Sequence, residues 1–322
     1  MWYYIVRRLL YAVPILIGVN IITFMLFFMV NTPNDMAYMH LGNKYITTQQ
    51  VADWKHEHGY DLPLFYNSVK HSITATIFWQ KSVKLFLFDF GASDHGQNIN
   101  QAIAQRYGPS LSIAIPTLIL GLIVNIILAM MLAFFRGSYL DTWGTIWCVI
   151  LMSISLLFYI VAGQYLIARI LKWLPISGYS DGLSSIKFVL LPVLVALVSG
   201  LGANVRWYRT FFLEELDQDY VRTARAKGLS EPTIFFKHVL RNSLIPILTG
   251  IVVILPLLFM GSLIMESFFA IPGLGSYTMD AIRSQDFAIV RVMVFLGTVL
   301  YILGLILTDI SYVLVDPRVK LN

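Results

Sequence analysis

An all-α membrane protein with six transmembrane helices is the fold class this sequence predicts, and three observations predict it. Of the 322 residues, 57% are hydrophobic and only 13% charged, against about 25% charged in an ordinary soluble domain. Six windows (9–30, 107–135, 142–168, 188–205, 242–265 and 292–308) contain no Asp, Glu, Lys or Arg, and about 20 apolar residues cross a bilayer as a helix. The basic residues, finally, are denser in alternate connecting segments than in the others. Helices are expected because hydrocarbon offers no partner to a backbone N–H or C=O.

The first window is preceded by Arg7 and Arg8 and runs for 22 residues before Asn31-Thr-Pro-Asn-Asp35. A cleaved secretory signal has a shorter apolar stretch and a small-residue cleavage site, so an uncleaved first span is predicted. The sixth window is short at 17 residues but continues apolar past Asp309. Cys148 is the single cysteine and lies inside an apolar run, which excludes an intrachain disulfide and implies no cysteine metal site. The net charge of +5 points to membrane topology rather than nucleic acid, because the basic residues are not gathered on one soluble face.

Six spans place both termini on one side, expected to be cytoplasmic. The inner segments 1–8, 136–141, 206–241 and the tail after 315 then hold twelve of the 23 Lys and Arg residues. The outer segments 31–106, 169–187 and 266–291 hold the other eleven over roughly twice the length, which follows the positive-inside tendency. The expectation is a single transmembrane domain over 1–322, with an external loop at about 31–106 and a cytoplasmic loop at about 206–241.

In the external loop, Thr47-Thr-Gln-Gln50 has capping-box spacing. Val51, Trp54 and His58 follow on one face, and Gly59 and Pro63 end the run. A short helix over 48–58 is predicted near the outer surface, with Trp54, Phe78, Trp79 and Phe86 suited to a membrane interface. Five of the six histidines lie here: His40, His56, His58, His71 and His95. His56 and His58 do not face each other on a helix, so they are expected to be surface groups and no metal site is predicted.

The internal loop carries seven basic and five acidic residues. Tyr220, Ala224 and Lys227 share a helical face, and Gly228 permits a turn where a side chain would clash. Ser230 is a plausible N-cap with Pro232 in the first turn. The second helix runs through His238 and Arg241 into the fifth span. The small Ala224 and Ala226 allow close approach of a partner.

The segment 219–246 resembles the cytoplasmic coupling motif of binding-protein-dependent ABC importers, whose general form is Glu-Ala-Ala, three residues, then Gly. Here Arg222-Thr-Ala224 is followed by three residues and Gly228. Arg222 and Thr223 depart from the general form in the manner of the dipeptide/oligopeptide permease branch. Residues 5–10 (Ile-Val-Arg-Arg-Leu-Leu), 59–63 (Gly-Tyr-Asp-Leu-Pro), 88–91 (Phe-Asp-Phe-Gly), 271–275 (Ile-Pro-Gly-Leu-Gly) and 315–319 (Val-Asp-Pro-Arg-Val) extend the likeness along nearly the whole chain. They match the first of two permease types, the one with a long external loop after its first span.

The resemblance implies the type I ABC importer permease fold. It also implies a second permease subunit, two cytoplasmic ATPases, an external substrate-binding protein and a lipid environment in the bacterial inner membrane. By position, Tyr220, Arg222, Ala224, Arg225, Lys227, Gly228 and His238 would form or support the ATPase contact. No Gly-x-x-x-x-Gly-Lys-Ser/Thr phosphate loop occurs, so ATP and magnesium are expected on the ATPases, with no cofactor and no enzyme activity in this chain. Peptides are the expected cargo; relatives of this architecture also carry nickel chelates, glutathione or oligosaccharides.

Glu266 and Asp309, close to the ends of spans five and six, are candidate gate or path residues because an intramembrane carboxylate is costly. Arg206 and Arg209 are expected to anchor the fourth span at the inner interface. Pro272, Gly273 and Gly275 make an external turn, expected to act as a re-entrant or lid element and to be followed by a short helix. A self-sufficient secondary transporter would show paired broken helices in two halves, and a membrane enzyme would show catalytic groups at one depth; neither pattern is present.

Overall fold

The computed structural model describes residues 2–42, 46–67 and 74–315. His71 and the 316–319 part of the C-terminal motif fall outside them. In chain order the helices are α1 (Trp2–Met25), α2 (Pro33–Leu41), α3 (Thr48–His58), α4 (Ile77–Lys81), α5 (Ile99–Phe134), α6 (Tyr139–Met152), α7 (Leu156–Gly163) and α8 (Ser185–Leu216). They continue with α9 (Asp219–Ala226), α10 (Glu231–Ile234), α11 (Leu240–Val252), α12 (Leu263–Phe268), α13 (Leu274–Arg283) and α14 (Phe287–Val315). Among the described residues there is no β-strand.

Among the described residues, five stretches are long and apolar enough to cross a membrane: Val6–Val30, Ile99–Phe134, Ser185–Leu216, Glu231–Phe268 and Phe287–Ser311. The sixth predicted window is therefore met, and the third falls on a bent pair of helices. Its helices Tyr139–Met152 and Leu156–Ile170 meet at 92°, one bent pair rather than a straight span. The break has a local cause, because Ser155 takes extended backbone and its hydroxyl caps the N–H of Phe158. The helix of the fourth span continues to Leu216. Residues 206–216, expected in the inner loop, thus belong to α8.

The chain forms two compact units, Met1–Gln105 with Thr278–Ile302 and Arg106–Tyr277 with Leu303–Leu321. In the first, Thr47 and Gln50 form the predicted capping box and Gly59 closes α3 in the left-handed conformation at φ 69°. Thr32 and Asp35 form a second capping box, at the start of α2. Phe24, Phe28, Met36, Trp54, Tyr60 and Ile77 build the core. Trp54 is buried there, stacked on His58 with ring centroids 4.3 Å apart, and Phe78 packs edge-on against Phe24 at 5.1 Å. Trp54 and Phe78 therefore pack with Phe24 and Phe28 of the first span rather than at a membrane interface, whereas Trp79 and Phe86 are exposed. His56 bonds Asp61 at 2.9 Å, whereas the two ring nitrogens of His58 meet the carbonyls of Trp54 and Asp94.

In the second unit, α6 approaches both α8 and α5 closely at glycines. A methyl at Gly202 of α8 would strike the Cys148 carbonyl of α6, and one at Gly144 of α6 the Leu132 side chain of α5. Asp141 of α6 and Arg209 of α8 join these two helices with an ion pair of 2.7 Å, so Arg209 clamps helix to helix.

Candidate functional site

Two arrangements in the second unit hold the residues singled out by sequence. The first is the helical hairpin between α8 and α11. The chain turns between α9 and α10 at Gly228, whose φ of 77° costs a side chain but not a glycine. Ser230 and Pro232 take the predicted positions at the start of α10, but the Ser230 hydroxyl meets Thr233 at 2.8 Å instead of capping a backbone N–H. Across the turn, Arg225 grips Glu231 with two bonds of 2.6 and 3.1 Å. That fork raises the Arg225 pKa further above its ordinary value. Tyr220 donates to Glu215 at 2.6 Å, and burial followed by that bond pushes its phenol up to about 12.

The hairpin has an inner and an outer face. Val221 and Ala224 are buried with Ile234, Phe235 and Val239, so Ala224 packs inward rather than presenting itself at the surface. His238 is half-buried in a π-helical turn, Phe235–Val239, that runs into α11. Arg222, Arg225, Lys227 and Gly228 are exposed. Leu229 and Phe236, which sequence reading passed over, are also exposed, at 41% and 56%. Arg136 reaches Asp217 at 3.2 Å beside the hairpin. The outer face is thus basic, with two apolar side chains, a composition suited to a protein partner.

The second arrangement is a cavity of about 440 Å³ lined by α5, α7, α8 and the 251–266 segment, within the usual size of a ligand site. Ser110, Thr117 and Asn125 from α5 face it, together with Asn204 from α8 and Glu266. Thr117 Oγ1 and Asn125 Oδ1 are buried there without a hydrogen-bond partner.

Glu266 lies inside α12, 1% exposed, rather than after the fifth span. Its Oε1 accepts from the Ser262 N–H at 3.1 Å and its Oε2 from the Ser276 N–H at 3.0 Å. The Ser110 hydroxyl and the Gly275 N–H also donate to it. Ser110 in turn accepts from the Leu274 N–H at 2.7 Å. Gly261 and Gly273 leave the space this carboxylate fills, and a Cβ at Gly275 would meet Ser262 at 2.5 Å. The expected external turn is therefore packed onto Glu266, with Pro272 exposed and its neighbours Gly273 and Gly275 buried; α13 is the short helix expected after it. Asp309 lies on α14 at intermediate exposure and is not among the residues lining the cavity.

An α-helical chain with five apolar helices and a bent pair, a cavity among them and a polar helical hairpin leading into one of them has the build of a multi-pass transport component. Two family models match it. Residues 125–321 match the binding-protein-dependent transport system inner membrane component, and residues 1–114 match the N-terminal region of such membrane components. This chain belongs to that family. A Brucella abortus (strain 2308) protein described as a peptide transport system permease is 33% identical over 98% of both chains. The oligopeptide transport system permease protein of Bacillus subtilis (strain 168) is 28% identical over 98% of this chain and 99% of its own. The dipeptide transport system permease protein of the same organism is 30% identical over 81% and 84%.

Proposed function

We propose that this chain is one permease subunit of an ATP-driven importer that carries peptides across the bacterial inner membrane. It pairs with a second permease, two cytoplasmic ATPases and an external substrate-binding protein. Both termini face the cytoplasm, ATP and magnesium are bound by the ATPases, and this chain hydrolyses nothing. The peptide transport names of its relatives support the cargo.

The observation that carries the reading is the continuity from the hairpin into a span. α10, the π-helical turn Phe235–Val239 and α11 run without a break from Glu231 to Val252, and α9 packs on them through Val221 and Ala224, so a push on the exposed face of the hairpin reaches the span through packed helix. In this reading Arg222, Arg225, Lys227 and Gly228 meet the ATPase, whereas Tyr220, Ala224 and His238 hold the hairpin in shape from inside. The cavity at Thr117 and Asn125 belongs to the path, and Glu266 fixes the turn that bounds it.

The test is reconstitution with the partner subunits and peptide uptake. Gly228→Trp on the outer face should abolish ATP-driven uptake and weaken ATPase retention while the permease stays folded. Normal retention and uptake would overturn the coupling assignment. Uptake of a nickel chelate, glutathione or an oligosaccharide, but not of peptides, would overturn the cargo.

A further inference from the structure

In the first unit, a cavity of about 150 Å³ is lined by Lys81, Lys84 and Arg291, with Asp89 and the chain at Gly91 and Ala92. That is room for several waters or one small oxyanion. Three cations thus face one carboxylate. Arg291 is 4% exposed, yet its Nε and Nη1 are buried without a hydrogen-bond partner. Asp94 and Asp286 lie near enough to influence Arg291. Asp94 accepts from the Tyr60 hydroxyl at 2.9 Å through Oδ1 while its Oδ2 is buried without a hydrogen-bond partner, and Asp286 accepts from the N–H groups of Asp94 and Ile289.

A guanidinium out of water is costly unless its donors are filled, and its planar fork matches an oxyanion with two oxygens. Phe28 offers Arg291 a ring face at 5.2 Å, and Tyr60 offers one to Lys81 at 5.1 Å. These stabilise the cations without satisfying any N–H. Burial and the neighbouring Arg291 lower the Lys81 pKa, as crowding of cations does.

We infer that the cavity at Lys81, Lys84 and Arg291 binds an oxyanion of phosphate or carboxylate type, with the Arg291 fork as its inner ligand and the two lysines closing over it. This proposal is independent of the coupling reading, since every residue it uses lies in the other unit. A free anion and the phosphate of an anionic lipid share this chemistry.

The experiment follows thermal unfolding of the full chain in a maltoside detergent, which has no phosphate. Inorganic phosphate at about 50 mM should raise the midpoint by about 3 °C over chloride of matched ionic strength. Lys84→Gln, an exposed change, should weaken that effect about fivefold without moving the midpoint of the unliganded protein. Arg291→Lys should weaken it further. In a second arm, native mass spectrometry measures phosphatidylglycerol retained by wild type and Lys84→Gln. Retention that depends on Lys84, with no response to free phosphate, also supports the site and assigns it to a lipid headgroup. No response to phosphate and no Lys84-dependent retention overturns the inference, as does a response that Lys84→Gln and Arg291→Lys leave unchanged.

Discussion

Replacing Glu266 separates two roles for a buried carboxylate, holding a turn and gating a path. In Glu266→Gln one carbonyl oxygen survives, and the other position becomes an NH2 group facing donors. The bonds from Ser262 and Ser276, at 3.1 and 3.0 Å, are both charge-assisted. Losing one and leaving its N–H unpaired in a 1% exposed site costs about 3 kcal/mol. For a chain of 322 residues that is a fall in unfolding midpoint of about 4 °C. The assay is thermal unfolding in detergent read by size-exclusion recovery, beside peptide uptake. Gly273→Ala should produce the same loss, because its methyl collides with Glu266 and Ser110. Combining it with Glu266→Ala should cost less than the sum of the two, since Glu266→Ala removes one of the groups that the Gly273→Ala methyl strikes. A Glu266→Gln protein with an unchanged midpoint would refute the turn-holding argument. If its uptake were lost as well, the carboxylate would be acting in the path.

Three further outcomes are expected. Asp141→Asn should destabilise by about 3 kcal/mol by leaving Arg209, with 22% of its side chain exposed, without its counter-charge; pairing it with Arg209→Met should recover part of the loss. Gly202→Val should sharply reduce folded yield on a size-exclusion column, because the added branch strikes the Cys148 carbonyl of the neighbouring helix. Burial, with Asp94 beside it, raises the Asp286 pKa, so the folded chain holds that proton to higher pH than the unfolded chain. Stability should therefore fall as pH rises from about 4, the ordinary aspartate value, through the raised one, and a melting series across that range should be flatter for Asp286→Asn.

Much of the candidate site was legible because its signals are local. The Thr47–Gln50 capping box and the Gly59 stop depend on neighbours within four positions, and the α3 boundaries follow from them. Gly228 announces a turn in the same way. The capping box at Thr32 and Asp35 was equally local, and its Thr-Pro-Asn-Asp signal was passed over. Trp54 misled because an aromatic near a predicted span suits an interface and a core equally well, and only the fold of residues around Phe24 and Phe28 decides between them.

Sequence alone determined the apolar spans, the polar hairpin between two of them and the family to which these belong, because bilayer length, charge and turn chemistry are written in consecutive residues. Tertiary structure decided which face of the hairpin is free, turning Ala224 inward and leaving Leu229 and Phe236 out. It decided that the third span bends by 92°, and that Glu266 meets the hydroxyl of Ser110, 156 positions away. Those outcomes depend on which distant groups share a volume, and no local spacing encodes that.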